Sequence, residues 1–291
     1  MPELPEVETT RRRIEPMLVD RAICELRTSA PSYFFVTPPD RLRRALVGRT
    51  TRVLDRVGKY LVATLDDTSR LVIHLGMTGQ LFGRGAASVR LLSATARASL
   101  APEEQPDFEP DSHTHLQLFF ADEGPAVYMR DVRKFGKVIW LAPGEGHERL
   151  DRLGPDALDL TGDALFAATR KRKTPIKAVL LDQRVAAGTG NIYADEALFL
   201  AGVRPGRRAA RVTRAECGAI ADALRRVLLR SIETGGSSIS DYVAPDGADG
   251  SYQDERRVYA RGGAACYSCA AVIKKVVIAQ RGTHYCPQCQ R

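Results

Sequence analysis

The chain has 291 residues, enough for one large domain or two ordinary ones. Its 44% hydrophobic and 27% charged residues fit a folded globular protein and exclude a disordered or collagen-like one. A formal net charge of +8 points to a polyanionic partner, and the charge is uneven: Ser251 to Arg291 holds seven basic residues and two acidic ones.

No apolar run approaches the roughly 18 to 20 residues of a membrane span; Ala197 to Ala201 is among the longest. The first residues, Met1 to Arg13, lack the apolar core of a secretory signal. The expectation is a cytoplasmic protein with reduced thiols and no membrane association.

A helix is expected first. Pro5 suits the first helical position, Glu6 and Glu8 the positive end of the dipole, and Arg11 to Arg13 follow toward the negative end. Strands follow at Tyr60–Leu65, Leu71–Leu75, Leu116–Ala121, Ala126–Met129 and Val138–Leu141, separated by turns such as Asp66-Asp67 and Glu123-Gly124. Short strands and short turns predict an antiparallel sandwich or barrel. The stretch from Gly85 to Pro110 is polar and irregular and reads as a surface insertion.

After a hinge-like stretch from Gly154 to Gly162 the period becomes helical. Thr174-Pro175 starts one helix, with Ile176, Val179 and Leu180 on one face; Asn191 is expected to cap the next, Ile192–Leu200. Thr213 to Glu216 is a capping box opening a helix with Ile220, Leu224, Val227 and Leu228 inward, and Gly235-Gly236 closes it. Ser237 to Gly263 reads as a polar, mobile loop.

Two knuckles, Cys266-x2-Cys269 and Cys286-x2-Cys289, stand sixteen residues apart; Cys24 and Cys217 stand alone. That spacing suits a four-thiolate zinc site, and a segment this short needs a metal in place of a core. Lys274, Lys275 and Arg281 lie between the knuckles on expected strands and suit a phosphate backbone. Arg170 to Lys173, with Lys177 close behind, form a second basic cluster, and Gly188-Thr189-Gly190-Asn191 is a glycine-rich turn before a helix. The bland reading of such a run is a solvated helix end. If Met1 is removed, Pro2 becomes a secondary amine. An α-amino group has a pKa near 8, against about 10.4 for lysine, so it is the better nucleophile at neutral pH. Attack on an aldehyde-like sugar carbon would give a charged iminium, with Glu3 placed to act as an acid.

Together these residues resemble the formamidopyrimidine-DNA glycosylase and endonuclease VIII family. The start Met1-Pro2-Glu3-Leu4-Pro5-Glu6-Val7-Glu8 is similar to that of the bacterial formamidopyrimidine-DNA glycosylases and differs from the Pro-Glu-Gly-Pro start of endonuclease VIII. Gly58-Lys59-Tyr60-Leu61 resembles the turn of the catalytic lysine. His74 to Gly79 resembles the loop with the intercalating Met, and Asp131 to Gly136 the Arg/Phe wedge loop. Gly190 to Tyr193 falls in the helix-two-turn-helix motif, and Gln280 to Thr283 precedes the second knuckle. Thr78 stands where Ser is common.

The resemblance implies an α+β protein. An N-terminal antiparallel β-sandwich catalytic domain with an N-terminal helix spans 1–150. A helix-two-turn-helix DNA-binding domain spans 151–262, with a base-capping loop at 237–252, and a β-hairpin zinc ribbon spans 263–291. It implies a DNA glycosylase and abasic-site lyase that excises oxidised purines (8-oxoguanine, formamidopyrimidines) from duplex DNA by flipping out the base. Pro2 would be the nucleophile, Glu3 the acid on the sugar oxygen, and Lys59 and Arg281 the residues assisting β- and δ-elimination. Met77, Arg133 and Phe135 would form the wedge, and Arg133 would read the partner cytosine. His113, Arg172, Lys173 and Asn191 would bind the DNA backbone, with His115 an equal candidate to His113 by sequence. One structural Zn2+ would sit on Cys266, Cys269, Cys286 and Cys289. The enzyme is expected to be monomeric. Two alternatives stay open: an endonuclease VIII-like preference for oxidised pyrimidines, and a non-catalytic zinc-ribbon DNA-binding protein.

Overall fold

The computed structural model describes residues 2–83, 110–237 and 250–291. The expected insertion, Gly85 to Pro110, lies outside them except for Pro110, as does all but the two ends of the expected capping loop. The chain divides into two compact units, Met1–Glu148 with Thr234–Ser251, and Arg149–Glu233 with Tyr252–Arg291.

Helix α1 (Leu4–Leu18) opens the first unit. It is followed by β1 (Ile23–Thr28), α2 (Pro39–Leu46), β2 (Thr51–Val57), β3 (Tyr60–Leu65), β4 (Arg70–His74), β5 (Gly79–Gly83), β6 (Thr114–Phe120), β7 (Val127–Asp131) and β8 (Lys137–Leu141). The strands form two antiparallel sheets of four, ordered β2-β3-β4-β8 and β1-β6-β7-β5. Alternation supplies the face between them: Leu61, Ala63 and Leu65 of β3, Leu71 and Ile73 of β4, Leu116, Leu118 and Phe120 of β6, and Val127 and Met129 of β7 are all buried in one cluster. Val7, Ile14 and Leu18, at helical spacing on α1, bury into the same cluster. That burial fixes the N-terminus of α1 to the sandwich and so sets where Pro2 and Glu3 lie.

In the first unit four elements escape the sequence reading: β1, α2, β2 and β5. In β1 and β2 the ladder register shifts at Ile23/Glu25 and Thr51/Val53, so buried positions fall three apart rather than two. Such bulges erase the alternation that identifies a strand. Strand β5, Gly-Gln-Leu-Phe-Gly, is buried on both faces and has no alternation to read.

The second unit is helical: α3 (Glu148–Asp151) leads into it, then α4 (Gly162–Thr169), α5 (Ile176–Leu181), α6 (Asn191–Leu200) and α7 (Arg214–Glu233), ending with the hairpin of β9 (Lys274–Ile278) and β10 (Arg281–Tyr285). Thr213 and Glu216 exchange hydrogen bonds as a capping box at the start of α7, and Ile220, Leu224, Val227 and Leu228 are buried as their spacing requires. The expected cap at Asn191 is corrected: Gly190 is the N-cap, and the Asn191 side chain donates instead to the Gly282 carbonyl at 2.9 Å. The expected mobile stretch is also corrected over its described part beyond Ser251. Tyr252 and Val258 are buried, and the Glu196 carboxylate takes the amides of Arg257, Val258 and Tyr259 at 2.8–2.9 Å. No helix among the described residues is long and apolar enough to cross a membrane.

Candidate active site and nucleic-acid interface

Glu3 is the N-cap of α1 and only 3% exposed. Its amide donates to Glu6 Oε2 at 2.8 Å, and Glu6 Oε1 accepts the amide of Ser237, also at 2.8 Å. One carboxylate therefore ties the turn holding Pro2 and Glu3 to the segment that leaves α7. Lys59 is 9% exposed and occupies the two-residue turn between β2 and β3. Gly58, first of the two, has φ +59°, which a Cβ would disfavour. Arg56 connects this turn to α1: its guanidinium donates to Glu8 Oε2 at 3.2 Å and to the Gly58 carbonyl at 3.1 Å. Burial alone would raise the Glu8 pKa, but the hydrogen bonds of Arg11 and Arg12 and the charge of Arg56 outweigh it and hold the carboxyl below its ordinary value. A fixed anion at this place anchors both α1 and the lysine turn.

Met77 and Phe135 are 38% and 43% exposed, so neither is the core residue that its apolar character alone would suggest. Met77 lies between β4 and β5; Arg133 and Phe135 lie between β7 and β8, with the Arg133 guanidinium 4.6 Å from the Phe135 ring centroid. The buried Asp131 carboxylate joins these loops: it accepts the Thr78 hydroxyl and the amides of Arg133 (3.2 Å) and Gly136 (2.7 Å). Gly76 has no room for a Cβ, which would meet the Phe135 carbonyl carbon at 2.4 Å.

His115 is corrected as a phosphate candidate. It is fully buried, its ring bonds Ser29 Oγ and the Asp131 carbonyl, and it packs on Phe34 with ring centroids 5.0 Å apart. Burial pushes its pKa below the ordinary histidine value. His113 is half-buried in the loop before β6.

In the second unit the basic cluster separates into different roles. Lys171 and Lys173 are exposed. Arg170 donates to Thr169 Oγ1 and the Val212 carbonyl. Arg172 pairs with Asp182 at 2.8 Å, and hydrogen bonds from Arg184 and then Arg172, acting against burial, hold the Asp182 carboxyl far below the usual range. Lys177 is not a DNA-facing cation at all. It is fully buried, 2.6 Å from an equally buried Asp195, and donates to Thr283 Oγ1 at 2.8 Å and the Gly282 carbonyl at 3.2 Å. Asp195 also accepts the His284 amide at 2.8 Å. With Asn191 on Gly282, this network joins α5 and α6 to β10 just beyond the exposed Arg281. The sequence signal is misleading, since a lysine only four residues beyond Lys173 reads as part of the basic run. Arg281 opens β10 after the turn Ala279-Gln280, whose φ values of +51° and +60° give the twist of a two-residue hairpin.

Cys266, Cys269, Cys286 and Cys289 place their sulfurs within 4.8 Å of one another. Cys269 and Cys286 are 3.4 Å apart and Cys266 and Cys289 3.9 Å. Tetrahedral zinc with Zn–S bonds of about 2.3 Å needs S···S separations of about 3.8 Å. The four thiols fit one structural zinc. Around them the apolar cluster is small, chiefly Phe199, Val258 and Ile273.

Family models match in chain order: the formamidopyrimidine-DNA glycosylase N-terminal domain over residues 1–138, its H2TH domain over 153–243, and the zinc finger found in FPG and IleRS over 265–291. The chain is 41% identical over 294 residues to the formamidopyrimidine-DNA glycosylase of Thioalkalivibrio sulfidiphilus, and 41% over 293 residues to that of Thiobacillus denitrificans, with all of each chain covered. The crystal structure of MutM (Fpg) from Thermus thermophilus superposes with a TM-score of 0.83 at 37% identity, covering 99% of this chain and 98% of the other. That of Lactococcus lactis Fpg with abasic-site DNA gives 0.82 at 32%, covering 99% of both, and a Lactococcus lactis Fpg mutant with Fapy-dG DNA gives 0.84 at 33%, covering all of both. With three family domains in order and full-length relatives at this identity, the chain belongs to the formamidopyrimidine-DNA glycosylase family.

Proposed function

We propose that this protein is a base-excision repair glycosylase with abasic-site lyase activity, removing oxidised purines such as 8-oxoguanine and formamidopyrimidines from double-stranded DNA. The observation that carries the reading is Pro2-Glu3 held at the buried start of α1, in a chain whose relatives include an Fpg bound to Fapy-dG DNA.

Removal of Met1 frees the Pro2 nitrogen as a secondary amine. It attacks C1′ of the flipped nucleotide while the C1′–N bond to the base breaks, and Glu3 protonates the sugar ring oxygen as the ring opens. The resulting iminium acidifies the C2′–H. Lys59 assists the first elimination, which expels the 3′ phosphate, and Arg281 assists the second, which expels the 5′ phosphate. Flipping costs roughly a few kcal/mol, offset by Met77, Arg133 and Phe135 filling the gap, with Arg133 donating to the orphaned cytosine. His113, Arg172, Lys173 and Asn191 hold the DNA backbone, with Arg172 acting from within its pair with Asp182. Residues 1–150 act as the catalytic domain, 151–262 as the helix-two-turn-helix domain and 263–291 as the ribbon. The zinc on the four cysteines shapes the hairpin of Lys274, Lys275 and Arg281 and takes no part in the chemistry. The protein works as a monomer in a bacterial cytoplasm, away from the membrane.

Borohydride trapping on a duplex with 8-oxoguanine opposite cytosine tests this. The processed protein should become covalently linked to DNA, and a version with an N-terminal extension should not. Absence of a trapped species from the processed protein would refute the reading.

A further inference from the structure

The backbone of Arg133 is held from two directions. Its amide donates to Asp131 Oδ1 and Thr78 Oγ1, each at 3.2 Å. Its carbonyl accepts the hydroxyl of Tyr33 at 3.2 Å. Tyr33 comes from the segment between β1 and α2, far away in the chain, and is 61% exposed. Packing gives no reason for an aromatic ring so exposed; its visible contacts are Arg133 and the Lys137 ammonium, 4.6 Å from its ring centroid. The neighbouring Lys134 has φ +55°, a conformation that a non-glycine residue holds only when its surroundings impose it. Asp131 supplies much of that restraint, since it is fully buried and also accepts the Gly136 amide at the far end of the loop.

We propose that Tyr33 and Asp131 are positioning residues that fix where the Arg133 guanidinium meets the unpaired partner base, and so set the discrimination between cytosine and adenine opposite the lesion. The inference rests on the functional reading above. Guanidinium offers donors only. The Watson–Crick edge of cytosine presents two adjacent acceptors, O2 and N3, whereas adenine presents one acceptor beside an amino donor. A two-point contact of this kind discriminates only while the arginine backbone is held in place. A displacement of an ångström or so lets the guanidinium settle for one acceptor, which either base provides.

The test is Tyr33→Phe, which keeps the ring and removes only the hydroxyl bonded to Arg133. The readouts are kcat/KM for 8-oxoguanine opposite cytosine and opposite adenine, incision of a preformed abasic site, and the urea midpoint. The cytosine-to-adenine ratio should fall by about tenfold, the discrimination of one good base contact. Abasic-site incision and the midpoint should stay at wild-type values. Arg133→Ala should abolish the preference, and adding Tyr33→Phe to it should change nothing more. Asp131→Asn should move the ratio in the same direction as Tyr33→Phe. An unchanged ratio in Tyr33→Phe overturns the proposal, as does an effect that adds fully to that of Arg133→Ala. Wild-type protein unable to excise the lesion opposite either base would instead overturn the functional reading itself.

Discussion

The carboxylate of Glu6 accepts the backbone amide of Ser237 at 2.8 Å, across 231 residues of chain. Its other oxygen accepts the amide of Glu3, so a single side chain in the first turn of α1 holds both the candidate catalytic turn and the stretch entering residues 238–249. Glu6→Gln keeps the shape but offers one accepting oxygen in place of two. Losing a charge-assisted hydrogen bond costs about 1.5–3 kcal/mol. Single-turnover excision should therefore slow by roughly 10- to 100-fold, with circular dichroism unchanged. A wild-type rate would show that the bridge is irrelevant to catalysis.

The Lys177–Asp195 pair is wholly buried, with Thr283, Gly282 and His284 completing its hydrogen bonds. Asp195→Ala leaves an ammonium without its counter-charge in the interior. Such a loss costs about 3–5 kcal/mol, which a urea titration would register as a lowered midpoint. Lys177→Met together with Asp195→Leu removes both charges and should recover most of that stability.

These examples show what was readable without a structure. The strands β3, β4, β6 and β7 are legible as short runs rich in apolar, β-branched and aromatic residues between turn signals, and α7 because its capping box and apolar spacing agree. The bulged strands β1 and β2 break the period that would reveal them. At the candidate site, Pro2, Glu3 and the cysteine knuckles stand out by residue chemistry and motif spacing, and Lys59 through the resemblance of its turn to the family's lysine turn. The residues that hold them do not. Glu6 reads as an ordinary helix-start acid, Lys177 as one more cation in a basic run, and Asp131 as part of a loop. Their roles depend on partners distant in sequence, which no local pattern encodes.

The ribbon around the four cysteines buries few apolar side chains, so its fold depends on zinc. Metal binding in such modules contributes about 10–16 kcal/mol at neutral pH. A strong chelator should release one zinc per chain, read with a chromophoric indicator, and DNA affinity should drop sharply while the far-ultraviolet signal of α7 persists. Cys286→Ser should reproduce the loss. Undiminished DNA binding by zinc-free protein would contradict a structural role for the ribbon in recognition.

His115 gives the sandwich a pH dependence. Its pKa is lowered in the folded state, first by burial, so the unfolded chain binds the extra proton more readily. The contribution is fully present above the unfolded value near 6.5 and erodes as pH falls below it, by at most about 1.4 kcal/mol per pH unit. Urea midpoints at neutral and mildly acidic pH should therefore diverge more for wild type than for His115→Asn. Equal slopes would mean that the folded imidazole takes up a proton as readily as the unfolded one.

The identity of the nucleophile is tested most directly by peptide mapping of the borohydride-trapped complex. Mass spectrometry should find the sugar remnant on the peptide that begins with Pro2, with Met1 gone. A remnant on Lys59, or lesion cleavage by protein that still carries Met1, would contradict the mechanism.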